Sequence, residues 1–270
     1  MSFEQLWISL GFALAFCVAV MAALWGYATV KKDAGIVDVA WAGLLGILAI
    51  AYASLADGAT ERRVLVGVMG GVWGLRLSLY LLRDRVLKAT HEDGRYQELR
   101  AAWGGMANRN FFIFFQAQGV LAAALSAPFA MAAFSDAPLR ILDYASGALW
   151  LFALLGESLA DRQLAAWRSD PRNRGRTCRA GLWRYSRHPN YFCEWLVWCA
   201  FATIATAAPW GWLAWIAPAV MLFLILKVTG IPPTESRAIR SRGDDYRRYQ
   251  QSTSVFFPWP PKQEPPSSSA

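Results

Sequence analysis

Seven apolar runs, each long enough to cross a bilayer, dominate this sequence and leave few folds open to it. Hydrocarbon about 30 Å thick offers a backbone no hydrogen-bond partner but itself, so a stretch of roughly 17 to 25 apolar residues must span it as a helix. The runs extend approximately from Leu6 to Val30, Ala34 to Ala56, Val64 to Leu82, Phe111 to Phe134, Ile141 to Ala160, Tyr191 to Ala208 and Trp210 to Ile231. The first is expected to stay in place as a helix. Glu4 stands where a cleavable signal carries positive charge, the run is too long, and no small-residue cleavage site stands out. The predicted fold is all-α: a polytopic membrane protein of about seven transmembrane helices plus a polar C-terminal helix on the cytoplasmic side.

Lysine and arginine supply an independent check, because they accumulate in short cytoplasmic loops. Lys31 and Lys32, six residues from Arg83 to Arg109, eight from Arg162 to Arg187 and six from Arg237 to Lys262 fall on one side, whereas only Arg62, Arg63 and Arg140 fall on the other. The pattern predicts an outside N-terminus and a cytoplasmic C-terminus, with long cytoplasmic segments from Arg83 to Asn110 and from Asp161 to His188. It also accounts for the net charge of +8 without nucleic acid as a partner. Cys17, Cys178, Cys193 and Cys199 lack Cys-x-x-Cys spacing and read as packing thiols, so neither a disulfide framework nor a metal site is signalled. Trp41, Trp150, Trp210 and Trp259 lie near span ends, where amphipathic rings anchor at the interface. Residues 1–257 are expected to form one integral-membrane domain, with its cofactor-binding part at about 140–257. The Pro/Ser-rich residues 258–270 are expected to form a disordered tail.

Ionisable groups inside a span are costly unless they face a partner or cavity, which makes each a functional candidate. Asp38 lies in the first turns of the second run. Arg76 and Tyr80 share a face of the third at i,i+4 spacing, and Glu157 and Asp161 do the same at the end of the fifth. Arg76, Glu157, Asp161 and Glu194 are expected to line one polar cavity open to the cytoplasm. Arginines from the His91–Arg100 and Asp161–Arg168 segments match phosphate oxygens with their planar forks, as a pyrophosphate or 2'-phosphate clamp would require. Anionic lipid headgroups satisfy the same residues.

The densest motif is Gly181-Leu-Trp-Arg-Tyr-Ser-Arg-His-Pro-Asn-Tyr-Phe-Cys-Glu194. Its counterpart is Arg242-Gly-Asp-Asp-Tyr-Arg-Arg-Tyr, which runs on to Phe257-Pro-Trp259. Together they resemble the steroid 5α-reductase-like branch of a membrane superfamily that also holds sterol reductases and isoprenylcysteine or phospholipid methyltransferases, most nearly its bacterial DUF1295-type members. The resemblance covers most of the chain, strongly from Glu157 to Trp259. It implies a seven-helix enzyme of the bacterial inner membrane that binds NADPH from the cytoplasm and takes a lipophilic small-molecule substrate from the bilayer. Membrane lipids would be its other partners, and no protein partner is required. Carried over by motif, Arg76, Arg95, Asp161, Arg168, Asn190, Glu194 and Tyr246 are implied cofactor contacts. Arg187, His188 and Tyr191 of the Arg-His-Pro-Asn-Tyr segment join them. Steroid 5α-reductases carry a glutamate on helix 2 and a tyrosine on helix 3, and this chain has no clear copy of either. Trp73 holds the tyrosine position, and Asp38 and Tyr80 are the nearest groups for the catalytic part.

The expected reaction is hydride transfer from NADPH to the β-carbon of a lipophilic conjugated enone, steroid- or isoprenoid-like. Negative charge develops on the carbonyl oxygen, and a donor aimed there, Tyr80 or a protonated Asp38, is worth roughly 3 to 4 kcal/mol. The same Arg-His-Pro-Asn-Tyr motif also resembles that of S-adenosylmethionine-dependent membrane methyltransferases. The arginines argue for a cofactor with phosphates. A non-enzymatic lipid-binding protein is the third reading. Haem ligation by paired histidines is disfavoured, because only His91 and His188 exist.

Overall fold

The computed structural model describes residues 3–87 and 91–263, and regular structure among them is entirely helical. In chain order the α-helices are α1 (Phe3–Lys31), α2 (Ile36–Leu55), α3 (Thr60–Leu82), α4 (Gly94–Trp103), α5 (Ala107–Leu125), α6 (Ala127–Ala133), α7 (Ile141–Ser169), α8 (Pro189–Ala205), α9 (Ile216–Phe223), α10 (Ile231–Arg242) and α11 (Asp244–Ser252). Five stretches are long and apolar enough to cross a membrane: Glu4–Lys31, Ile36–Leu55, Thr60–Leu87, Gly94–Ala133 and Gly211–Arg242. The other two expected spans are helical within α7 and α8 but fall outside those five. Helix α8 has only 17 residues, and α7 carries Asp143, Glu157 and Asp161 along its length.

Two expected spans are also less regular than their composition suggests, and proline is the reason in both. The run from Phe111 to Phe134 breaks at Ser126 into α5 and α6, because Pro128 has no N–H to give Ala124 and so ends the α-helical ladder. Ser126 seals the break, donating its hydroxyl to Ala123 O at 2.7 Å and lying 3.1 Å from the Tyr52 hydroxyl. The run from Trp210 to Ile231 becomes a 3₁₀ turn (Gly211–Trp215), α9 with Pro218 inside its first turn, and a π turn (Leu224–Val228). Pro232 and Pro233 then open α10, where a missing N–H costs nothing.

The chain divides into two compact units, one of residues 1–144 and 201–214 and the other of residues 145–200 and 215–270. In the first unit α2 and α3 meet along a seam of small residues. A Cβ added at Gly74 would lie 2.6 Å from Gly46 Cα and 2.9 Å from Ala42 O, while one at Gly67 would lie 2.8 Å from the Ala53 methyl. Only glycine allows backbones so close, the arrangement by which apolar helices pack where no water drives them together. The same unit contains Arg62, which the sequence reading places in an outward turn and the structure buries completely. Its guanidinium forks onto Asp143 at 2.7 and 3.0 Å and gives its remaining N–H groups to the carbonyls of Ala137, Pro138 and Ile204. All five donors are thereby used. Arg63 caps the C-terminus of α2 through the carbonyls of Ala53 and Ser54, where a cation is favoured.

In the second unit Ser146 donates to Ala200 O at 2.7 Å, joining α7 to α8. Trp183 donates to Ala160 O at 2.9 Å, laying the 181–184 turn against α7. Residues 258–262, expected in a disordered tail, are held instead: Trp259 N–H donates to Tyr185 O at 2.9 Å and Lys262 N–H to Ser252 O at 2.8 Å. The rest of the expected tail, residues 264–270, lies outside the described residues. All four cysteines are buried free thiols.

Replacing Arg62 with alanine strands a fully buried carboxylate with only half-exposed Arg140 to answer it. The expected loss is about 3 to 5 kcal/mol, read as a lower unfolding midpoint in detergent. Arg63→Ala should cost less than half as much, and equal losses would reject the buried pair as the stronger link.

Candidate functional site

Each unit gathers charged side chains around one carboxylate. In the first unit this is Asp38, in the first turn of α2. Its Oδ2 accepts from Arg85 at 2.6 Å and Arg95 at 2.8 Å, and its Oδ1 accepts from the Tyr96 hydroxyl at 2.8 Å. Asp93 caps α4 by accepting the Arg95 N–H and pairs with both arginine side chains. Beside them Arg100 forks onto Glu92 at 2.8 and 3.0 Å, and Glu92 also accepts the Ala34 N–H just before α2. Two arginines thus meet two aspartates. Arg95, expected to contact a cofactor, has its guanidinium engaged by carboxylates. Three donors, two of them cationic, thus converge on Asp38. Tyr80 carries Arg76 over its ring at 5.6 Å, as their spacing predicts.

The second unit centres on Glu235 of α10. Its Oε1 accepts from Arg187 Nε at 2.7 Å, from the Tyr246 hydroxyl at 3.2 Å and from His188 Nε2 at 3.2 Å, while Oε2 accepts from Gln250 at 2.7 Å. Arg187 also reaches the carbonyls of Gln250 and Thr253, both at 2.9 Å, so it staples α11 to the segment before α8. His188 stacks on Tyr191 at 5.4 Å. Burial pushes the His188 imidazole below the usual histidine range, against the pull of Glu235, and leaves a neutral ring that donates. Burial and the Glu235 charge raise the Tyr246 phenol, which stays protonated as the geometry requires. The Arg-His-Pro-Asn-Tyr and Asp-Asp-Tyr motifs are therefore brought together, as their pairing suggests. Glu235, which joins them, went unread in the sequence. The signal was there in a single carboxylate standing among Arg237, Arg240 and Arg242 after a Pro-Pro helix start.

On the other side of this unit Asn190 donates to Asp161 Oδ1 at 3.3 Å, and Glu194 accepts from Trp198 at 2.9 Å. That bond sets the Asn190–Glu194 face of α8 beside the Glu157–Asp161 face of α7, and Glu157, Asp161 and Glu194 are all buried. The Asn190 Oδ1 atom is buried and accepts no hydrogen bond among the described residues. Exposed Arg168, at the end of α7, shares its surroundings with Arg242, which lies over the Tyr246 ring at 4.9 Å. The two arginines act on each other's charge, and both act on buried Cys178. Among the described residues neither is paired with a carboxylate. Arg242 was absent from the sequence-based set. Thr177 N–H and Arg179 meanwhile hold Asp245 at 2.7 and 2.9 Å, fixing the loop after α7 to α11.

A histidine whose folded pKa lies below its unfolded value of about 6.5 adds stability that is complete above that pH and is lost as pH falls toward the folded value. Wild-type protein should therefore lose unfolding midpoint between pH 7 and 5, and His188→Gln should flatten that slope. Parallel slopes would show that His188 does not titrate with unfolding.

Residues 24–253 match the DUF1295 family, described as proteins of unknown function. The chain is also 25% identical over 264 residues to the uncharacterized protein C594.04c of Schizosaccharomyces pombe, covering 87% of this chain and 75% of that one. No solved structure matches the chain significantly. With five apolar helices of spanning length and a match that takes in both the Asp38 and the Glu235 clusters, this membrane protein belongs to the DUF1295 family.

Proposed function

We propose that the protein is a membrane oxidoreductase of the steroid 5α-reductase-like kind, using NADPH to reduce the conjugated double bond of a lipophilic enone. The observation that carries this reading is the Arg168–Arg242 pair. Arg168 works against the charge of Arg242, which Asp245 favours only from beyond salt-bridge reach, so an anion that joins both arginines is welcome, and planar guanidinium forks suit phosphate. Asn190 Oδ1 adds a buried acceptor in want of a donor, which a carboxamide N–H such as that of nicotinamide supplies. Arg187 and Tyr246 support the cofactor site from behind through Glu235, while Asp161 orients Asn190.

When bound, NADPH supplies the hydride for the substrate β-carbon. Tyr80, with Arg76 over its ring, has the donor's part toward the carbonyl oxygen. Asp38 serves as a positioning residue that holds Arg85, Arg95 and Tyr96. In this reading α7 and α8 also cross the bilayer, giving seven spans. The arginine-rich C-terminal side faces the cytoplasm, where NADPH is available, and for a bacterial cell the membrane is the inner one.

Calorimetric titration of detergent-purified protein with NADPH, NADH and S-adenosylmethionine tests this. NADPH should bind best, and Arg168→Ala or Arg242→Ala should weaken it by about 10- to 100-fold, the worth of one charge-assisted contact. Binding of S-adenosylmethionine alone would move the protein to the methyltransferases, and binding of none would overturn the cofactor site. Tyr80→Phe should bind NADPH as wild type yet lose about 10²-fold or more of enone turnover, seen as nicotinamide absorbance. Undiminished turnover would reject Tyr80 as the donor.

A further inference from the structure

Where α11 ends, the chain doubles back and encloses a groove of about 290 Å³ that the cofactor reading does not use. Thr253 leaves the helix in an extended conformation, and the bent segment after it runs past Tyr185 before Lys262 returns its N–H to Ser252 O. Gln251 and Ser254 line the groove beside Trp259 and Lys262, whereas Ser252 and Thr253 are buried, with the Ser252 hydroxyl bonded to Tyr249 O and lying 3.4 Å from the Thr253 hydroxyl. Lys262 is the single charged side chain in the lining, and among the described residues no carboxylate pairs with it. Beside the groove, one aromatic side chain is buried among exposed neighbours. Val255, Phe257 and Trp259 are exposed, the last by 70%, whereas Phe256 is buried against Phe192 and Trp195.

We propose that this groove holds the headgroup of an anionic phospholipid. The ammonium of Lys262 meets the phosphodiester, the Ser254 hydroxyl and Gln251 amide bond the polar headgroup, and Val255, Phe257 and Trp259 lie along the acyl chains. A soluble anion has use only for the first two of these. An exposed tryptophan next to a lysine is the chemistry of the membrane interface, where the indole ring prefers the headgroup level. One lysine near an anionic leaflet attracts it only modestly by charge alone, so the aromatic flank supplies the rest of the retention. The groove lies at residues 250–262 and is independent of the Arg168–Arg242 pair.

Native mass spectrometry of the full chain, released from detergent in the presence of phosphatidylglycerol or phosphatidylcholine, tests the site. Wild type should retain one phosphatidylglycerol in preference to phosphatidylcholine. Lys262→Glu should reduce that retained population at least fivefold, Trp259→Ala should reduce it as well, and Lys262→Arg should restore it. Lys262 is exposed, so these variants leave the packed core untouched. Equal retention of the two lipids, or unchanged retention in Lys262→Glu, would overturn the proposal. So would displacement of phosphatidylglycerol by millimolar inorganic phosphate, which would mark a soluble-anion site.

Discussion

A charge carried out of water must find partners or lose its charge, and this one requirement shapes both units. Arg62 meets it by giving all of its donors to one carboxylate and three carbonyls. Asp38 and Glu235 meet it from the opposite side, each collecting three or four donors from helices far apart in the chain. Such hubs do more than offset desolvation. A carboxylate that needs an arginine, a tyrosine and a histidine at fixed distances also fixes where those elements stop and turn. The Glu235 hub thus sets α10, α11 and the start of α8 in register around a single oxygen.

That logic also sorts the motif residues by what remains available to a ligand. Arg187, Arg95 and Tyr246 have strong partners within the protein, so their place in a signature reflects the framework they hold. Arg168, Arg242 and the carboxamide oxygen of Asn190 are different in kind, since among the described residues neither arginine has a carboxylate in salt-bridge contact and that oxygen accepts no hydrogen bond. A motif is conspicuous in a sequence because several polar residues stand close together. Which of them are structural only becomes visible when the remote partner is located.

Apolar runs made the helices legible, because composition alone decides whether a backbone can lose its water. Their interruptions were less legible. Ala127-Pro128-Phe129 and Ile216-Ala217-Pro218 are as apolar as a continuous helix, and what ends the ladder is a single missing N–H. The Arg76–Tyr80 contact followed from local spacing, and the pairing of the two C-terminal motifs from the resemblance they carry together. Glu235, Arg242 and the Asp38 acceptor role did not, because each depends on partners tens of residues away that no periodicity connects. Arg62 was misplaced for a related reason: counted as a loop cation, it gives no hint that Asp143, 81 residues on, draws it into the interior. The glycines of α3, spaced as Gly67, Gly70, Gly71 and Gly74 opposite Ala42, Gly46, Ala49 and Ala53 of α2, were a readable stripe that went unused.

In that stripe the distance between two helices is set by main chain against main chain. Side chains can change rotamer in nanoseconds and let neighbouring helices breathe, but a backbone has no rotamer to change. The α2–α3 pair is therefore a stiff plank. Asp38 near one end of α2 keeps its height relative to Arg76 and Tyr80 on α3 whatever passes alongside.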